Sequence, residues 1–244
     1  MKLAVVGKGG VGKTTTAAVL ARTLARDGGT VVALDCDTNP NLGISLGIGD
    51  DETERLIGLR QSLDDGTQEH APSWDSLIDV FGSDAPGGVR LAVVSAMDKP
   101  EPGCPCCGLS PEQLLRTVAF DEQTVIADFE AGIGTLTRLE AGAVDVIVLV
   151  VAPTAKSIEV ARRAAELVAE KQLGRLVVLG NQVRDDADRA LITAAFGEPD
   201  VACVPHDERI ADADRRGVAP FDVAPDADAV LAIAALAGTL RATA

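Results

Sequence analysis

The first fifteen residues constrain this chain more than any other stretch. An apolar run at residues 3–6 leads directly into the segment GKGGVGKT at residues 7–14. A glycine-rich loop between a buried strand and a helix turns its backbone N–H groups toward a bound phosphate, and the helix N-terminus adds partial positive charge. We therefore expect a strand, a phosphate-binding loop and a helix that opens at Thr15, with a nucleoside triphosphate as the ligand.

The positions of this loop have separate expected roles. The side chain of Lys13 should reach the β- and γ-phosphates, and the hydroxyl of Thr14 should bind Mg²⁺. These roles predict a chain that binds a nucleoside triphosphate with Mg²⁺. The residues expected to surround the phosphates are Gly9, Gly10, Val11, Gly12, Lys13, Thr14 and Thr15.

Lys8 is a second lysine in the loop, and the phosphate cradle that Lys13 completes does not require it. The pattern GKGGVGKTT resembles the deviant Walker A ATPases, which include the MinD and ParA proteins, the nitrogenase iron protein and the arsenite-pump ATPase. The resemblance implies that the nucleotides are ATP and ADP, and it implies a homodimer in which Lys8 crosses to the partner's nucleotide and acts there as a catalytic group. Such a charge supplied in trans can raise phosphoryl-transfer rates by roughly 10³ to 10⁵. The alternative is a solvated surface lysine.

Length and charge limit the other possibilities. The 244 residues fit one large α/β domain, expected to span residues 1–244. The net charge of −15 disfavours nucleic acid and anionic membrane as partners. No apolar run approaches the ~20 residues that span a bilayer. The chain starts with a core strand rather than a signal peptide, so we expect a cytoplasmic protein with reduced cysteines.

Short apolar runs alternate with helical patterns along the chain. This alternation predicts an α/β P-loop NTPase fold, with a mostly parallel twisted sheet and helices on both faces. The strand runs lie at residues 3–6, 31–34, 91–94, 125–127, 146–151, 176–179 and 201–204, and helical patterns at 16–26, 157–171 and 186–196. Two longer irregular regions, about 39–88 with helical patches at 55–63 and 73–81, and about 95–110, are expected to carry function.

Carboxylates follow two of the predicted strands. Asp35 and Asp37 come after the second, and Asp128 closes the run at 125–127. In open α/β sheets such strand ends lie beside the ligand. The family resemblance implies that Asp37 orients the attacking water, that Asp35 supports it and that Asp128 is the Walker B residue near Mg²⁺. Solvated turn and helix-capping residues are the alternatives.

An amide side chain, that of Asn181, follows shortly after the apolar run at residues 176–179. The Asn181 side chain could donate to and accept from an adenine edge at once. The family resemblance implies this role, with Pro205 in the segment 204–207 forming another wall of the base pocket. A strand-terminal turn residue is the alternative reading of Asn181.

Three cysteines lie within four residues between Gly103 and Gly108: Cys104, Cys106 and Cys107. Thiolates favour soft metals, so we expect a Ni²⁺ or Zn²⁺ site. One chain offers too few ligands nearby, whereas two chains that each give Cys104 and Cys106 would form a four-cysteine site across a two-fold axis. Cys107 is the weaker candidate because adjacent side chains point apart. Redox thiols and incidental loop cysteines are the alternatives.

The motifs together resemble the CooC group, the accessory ATPases for nickel insertion into carbon monoxide dehydrogenase. The resemblance implies a metallochaperone that serves a client metalloenzyme of carbon monoxide dehydrogenase type. A MinD/ParA-like positioning or partition switch is the rival, and an electron-transferring reductase is a second. Ala131 disfavours the reductase, since it stands where the nitrogenase iron protein has a cluster cysteine. The matching residues are Asp35, Asp37, Asn39, Asn41, Leu42, Cys104, Cys106, Asp128, Glu130, Ala131, Gly132 and Ile133.

Overall fold

The computed structural model describes residues 1–64, 78–79, 82–94, 110–117, 120, 123–197 and 201–242. The strands within these residues are β1 Lys2–Gly7, β2 Val31–Cys36, β3 Gly82–Ala85, β4 Val89–Val93, β5 Thr124–Phe129, β6 Val146–Val151, β7 Arg175–Val183 and β8 Val201–Pro205. They form an eight-stranded sheet at the centre of the fold, with the strand order β3-β4-β2-β5-β1-β6-β7-β8.

The sheet is mostly parallel, which confirms the predicted fold class. Strand β1 lies at its centre, paired in parallel with β5 and β6. The inner strands are buried on both faces, which explains their continuous apolar sequences. Only β3 among the described strands runs antiparallel, against β4 at the sheet edge. This strand lies in the region that the sequence predicts to be irregular. The sequence does not predict the strand because its residues, GSDA, lack the alternation of apolar and polar residues that is typical of a strand.

Helices cover both faces of the sheet. Helix α1, Lys13–Arg26, buries Ala17, Leu20, Ala21 and Leu24, which recur at helical spacing and belong to the core on one face. Helix α6, Ala155–Lys171, contributes to the core on the other face. The helices are α1 Lys13–Arg26, α2 Leu42–Leu46, α3 Asp50–Asp64, α4 Pro111–Thr117, α5 Gly134–Arg138, α6 Ala155–Lys171, α7 Asp186–Phe196, α8 Glu208–Arg215, α9 Pro220–Val223 and α10 Asp228–Ala242.

Helix α1 begins at Lys13, two residues before the predicted start at Thr15. Gly12 precedes it in a left-handed conformation with φ 90°, so the turn from loop to helix is complete by Lys13. The predicted patch at 55–63 lies inside α3, whereas only residues 78–79 of the patch at 73–81 fall among the described residues. None of the helices in the described part of the chain is long and apolar enough to cross a membrane.

Candidate nucleotide-binding site

The loop between β1 and α1 has the backbone shape of a phosphate cradle. Gly10 and Gly12 adopt φ values of 77° and 90°, in the left-handed region that favours glycine. A Cβ atom at Gly12 would also collide with the side-chain amide of Asn181. Packing of α1 against the sheet fixes the N-terminus of this helix at the carboxyl end of β1, where an anion binds favourably.

The two lysines of the loop have different surroundings. The Lys13 side chain is 8% exposed, and its positive charge acts on the carboxylate of Asp128. Lys8 is half-buried and is followed by the exposed Gly9 and Gly10. Its amine makes no hydrogen bond or ion pair within the described part of the chain. One lysine is therefore committed to the interior of the site, and the other is free to meet a ligand or a second chain.

Asp35 and Asp128 are direct neighbours on the paired strands β2 and β5. They are 1% and 2% exposed. Burial, together with the charge of Asp128, raises the pKa of Asp35 to about 8. The Asp35 carboxylate accepts hydrogen bonds from the backbone N–H groups of Asp37, at 3.2 Å, and Leu42, at 2.8 Å. Asp35 therefore holds the segment that carries Asp37, which fits the supporting role predicted for it.

Burial also raises the pKa of Asp128, to about 7, although a hydrogen bond from Thr14 and the charge of Lys13 act in the opposite direction. Its Oδ1 atom is buried and has no hydrogen-bond partner among the described residues. A buried polar atom without a partner is costly, and such an atom suits a site that a ligand completes. The carboxylate beside a threonine hydroxyl supplies the oxygen donors that Mg²⁺ prefers, so these residues fit the ion.

The described residues contain no group of three or more histidine, cysteine, aspartate or glutamate side chains arranged to hold a metal. A magnesium ion at Thr14 and Asp128 would accordingly take most of its ligands from nucleotide phosphates and water. That is the common mode for Mg²⁺, which keeps several waters and binds protein through few groups.

Hydrogen bonds connect the segments that follow β2 and β5. The Thr38 hydroxyl donates to the Glu130 carboxylate at 3.4 Å, which joins the two segments. The backbone N–H of Gly132 donates to the carbonyl of Gly7 at 3.0 Å. A displacement of one of these segments at the phosphate end would therefore be transmitted to the other.

A cavity of about 380 Å³ extends from the loop toward β8, α8 and α10. Its lining combines the polar groups of the loop with apolar side chains that suit a flat base. Asn181 and Pro205 both line it, which places the two predicted base-pocket residues together. The apolar lining residues include Val19, Val204, Pro205, Ile210, Val230 and Ile233, and His206, Asp207 and Asp214 also line the cavity.

Asn181 contacts the loop as well as the cavity. Its Nδ2 atom donates to the carbonyl of Val11 at 2.7 Å. An amide carries two N–H groups and one carbonyl oxygen, so one N–H and the oxygen are left for a base. The next residue, Gln182, donates from Nε2 to the carbonyl of Gly10 at 3.2 Å. The sequence alone does not predict a role for Gln182, since a glutamine after a strand-terminal asparagine matches no known motif.

The predicted metal ligands Cys104, Cys106 and Cys107 lie outside the described residues. Of the cysteines that the structure describes, Cys36 is buried and Cys203 is half-buried. Burial and neighbouring carboxylates raise the pKa of the Cys36 thiol, so it is not poised to act as a thiolate.

The residues on either side of the cysteine segment are described, and they contact the nucleotide site. Before the segment, the backbone N–H of Val94 donates to the carbonyl of Asp35 at 2.8 Å. After it, the buried Glu112 of α4 accepts a 2.7 Å hydrogen bond from Arg138 of α5. Helix α5 begins two residues after Gly132, so the described residues that flank the cysteine segment contact elements that follow or border the phosphate end.

A glycine-rich loop at the end of a central parallel strand, with buried carboxylates on the adjacent strand ends, defines a P-loop nucleotide-binding protein. The family model "CobQ/CobB/MinD/ParA nucleotide binding domain" matches residues 3–221. The chain belongs to this family of P-loop ATPases.

Two relatives match over most of their length. An uncharacterized ATP-binding protein of Methanocaldococcus jannaschii is 32% identical over 224 residues, covering 86% of this chain and 87% of the relative. The carbon monoxide dehydrogenase accessory protein CooC of Rhodospirillum rubrum is 29% identical over 244 residues, covering 92% and 91%. The predicted resemblance to the deviant Walker A ATPases and to CooC is thus confirmed.

Solved structures share the fold. MinD from the MinC:MinD complex of Aquifex aeolicus aligns with a TM-score of 0.73 at 21% identity, over 99% of this chain and 95% of that one. MinD of Pyrococcus furiosus aligns with a TM-score of 0.71 at 21% identity, over 100% and 99%. A third, MinD of Pyrococcus horikoshii, was solved with Mg-ADP and aligns with a TM-score of 0.70 at 20% identity, over 98% and 94%.

Proposed function

We propose that this chain is a Mg²⁺-dependent ATPase that dimerises with ATP and binds Ni²⁺ or Zn²⁺ through cysteines shared between two chains. Its role would be to deliver nickel to a client of carbon monoxide dehydrogenase type. We expect this work to take place in the cytoplasm, in one domain that spans residues 1–244.

The observation that carries the ATPase part is the contrast between the two lysines. Lys13 is buried, and its charge acts on Asp128. Its proposed role is to contact the phosphates of the nucleotide bound to the same chain. Lys8 has no partner within the described residues and lies beside the exposed tip of the loop. This arrangement supports a second chain as the source of the charge that completes each site, and it is the reason to expect dimerisation.

The residues then divide the reaction between them. Thr14 and Asp128, the latter through water, would hold Mg²⁺, which supplies positive charge to the β- and γ-phosphate oxygens. Asp37 orients a water whose oxygen bonds to the γ-phosphorus while the bond from that phosphorus to the bridging oxygen breaks, leaving ADP and phosphate. Lys8 of the partner stabilises the charge that develops on the transferring group. Asp35 holds the backbone that carries Asp37.

Two observations support the metal part. The relative at 29% identity is a carbon monoxide dehydrogenase accessory protein. The second is that the described residues before and after the cysteine segment contact elements beside the nucleotide site, Val94 at Asp35 and Glu112 at Arg138. Such contacts would allow ATP binding and metal binding to be coupled.

A titration with Ni²⁺ and Zn²⁺ tests the metal part. We expect one metal per dimer by elemental analysis, and dimers on size-exclusion chromatography when metal is added without ATP. The Cys104→Ala and Cys106→Ala changes should each remove this response, Cys107→Ala should weaken it less, and Cys203→Ala is the control. One tight metal per monomer, or unchanged binding in a Cys104→Ala/Cys106→Ala double variant, would overturn the shared site.

A positioning or partition switch is the second candidate, favoured by the fold shared with MinD structures. The net charge of −15 weighs against a nucleic-acid or anionic-membrane surface as its partner. This candidate predicts that the cysteine variants keep full ATPase activity and dimerisation, and that a protein partner stimulates turnover.

A further inference from the structure

The end of β7 carries an irregularity that faces the phosphate-binding loop. The pairing of β7 with β8 shifts register between Gly180 and Val183. Within this bulge Gln182 adopts φ 61°, a left-handed conformation that is unfavourable for a residue with a side chain. Bulges beside functional sites redirect side chains, and strained backbone persists where the surrounding structure requires it.

The bulge directs two consecutive amides at two consecutive loop carbonyls. Asn181 donates to Val11 at 2.7 Å, and Gln182 donates to Gly10 at 3.2 Å. In a planar trans peptide the carbonyl and the N–H of the same unit point in opposite directions. A loop carbonyl that accepts a hydrogen bond from one of these side-chain amides points out of the phosphate cradle. The N–H of the following residue therefore points into the cradle. The two contacts fix the N–H groups of Val11 and Gly12 in this way.

We propose that Gln182 is a positioning residue for phosphate binding, because it holds the Gly10–Val11 peptide with the Val11 N–H directed at the phosphates. This inference rests on the proposed function only for nucleotide binding in the loop, and it needs neither the dimer nor the metal. Asn181 does not make this contact, since its Nδ2 donates to the carbonyl of Val11 instead.

The test compares ligands with and without phosphates. Gln182→Met keeps the length of the side chain and removes the donor, which leaves the Gly10–Val11 peptide free to rotate. We expect a loss of about 3- to 10-fold in ADP affinity by calorimetry, the range of one hydrogen bond. Adenosine carries no phosphate for the loop to bind, so its affinity, measured by ligand-observed NMR, should be the same for the variant as for the wild type.

The chain provides a matched control at Gln172. This residue follows the last residue of α6 and has φ 53°, close to the value at Gln182. A Gln172→Met change therefore places the same substitution in a similarly strained backbone, away from the loop. We expect it to leave both affinities unchanged. Equal ADP affinity in Gln182→Met and wild type would overturn the inference, as would a parallel loss for adenosine. A wild-type chain that binds no ADP would overturn the proposed function itself.

Discussion

The two sides of the phosphate-binding loop differ in how completely their polar groups are satisfied. On the amide side, formed by Asn181 and Gln182, both side chains already donate to loop carbonyls. On the switch side, formed by Asp35, Asp37 and Asp128, two neighbouring carboxylates are buried, and burial raises their pKa values to about 8 and about 7. The Oδ1 atom of Asp128 has no hydrogen-bond partner in the described part of the chain.

This difference predicts that one side determines mainly the nucleotide affinity and the other mainly the rate of hydrolysis. Groups that are already bonded in the right direction lose little entropy when the nucleotide arrives, so the amide side should contribute mainly to binding. Buried carboxylates close together are stable as anions only when positive charge compensates them. The switch side should therefore reach its working arrangement with Mg²⁺ and the triphosphate, and it should contribute mainly to the rate.

The largest expected effect on nucleotide affinity is the loss of the positive charge of Lys13, which lies between the two sides. Lys13→Ala leaves the carboxylate of Asp128 without its compensating charge and removes the contact to the β- and γ-phosphates. We expect ATP and ADP affinity to fall by at least about 100-fold, the cost of an unpaired buried charge. Calorimetry with both nucleotides measures it, and near-normal ADP affinity would remove Lys13 from the site.

A pair of substitutions tests the comparison itself. Asp128→Asn should reduce kcat by about 100-fold or more while KM for ATP changes little, since it removes charge needed during phosphoryl transfer. Asn181→Ala should instead raise KM by about 10-fold with kcat largely retained, because it removes contacts made equally before and during the reaction. Steady-state kinetics at saturating Mg²⁺ would show this split. Parallel losses in both variants would show that the two sides are not separate.

The smallest expected effect concerns the base. If the free N–H and oxygen of Asn181 read adenine, ATP should bind about 10-fold better than GTP, whose base presents a different hydrogen-bonding edge. Asn181→Ala should reduce this preference. Competition calorimetry measures the ratio, and a wild-type preference for GTP would remove the adenine assignment.

Much of the switch side was predictable, and much of the amide side was not. The loop motif and the buried apolar runs predict a parallel sheet, and strand ends in such a sheet meet at one edge, so the proximity of Asp35 and Asp128 follows. Gln182 reaches Gly10 across 172 positions of sequence, through a bulge with no local signature. The Arg138–Glu112 contact likewise depends on tertiary packing of two short helices rather than on a periodic pattern.

The proposed mechanism depends most on Lys8 acting in the partner's site. Lys8→Ala should retain ATP binding, lose ATP-driven dimerisation and fall in turnover by roughly 10³ to 10⁵, the range for a catalytic charge supplied in trans. Asp128→Asn should also be nearly inactive, yet its chain still carries Lys8.

The decisive measurement is the ATPase rate of an equimolar mixture of these two variants. In a mixed dimer the Lys8→Ala chain has an intact switch side and receives Lys8 from its partner, so one site works. Random pairing predicts recovery of up to about a quarter of the wild-type rate per chain, if the single lysine supports pairing. A mixture no more active than its components would contradict catalysis in trans.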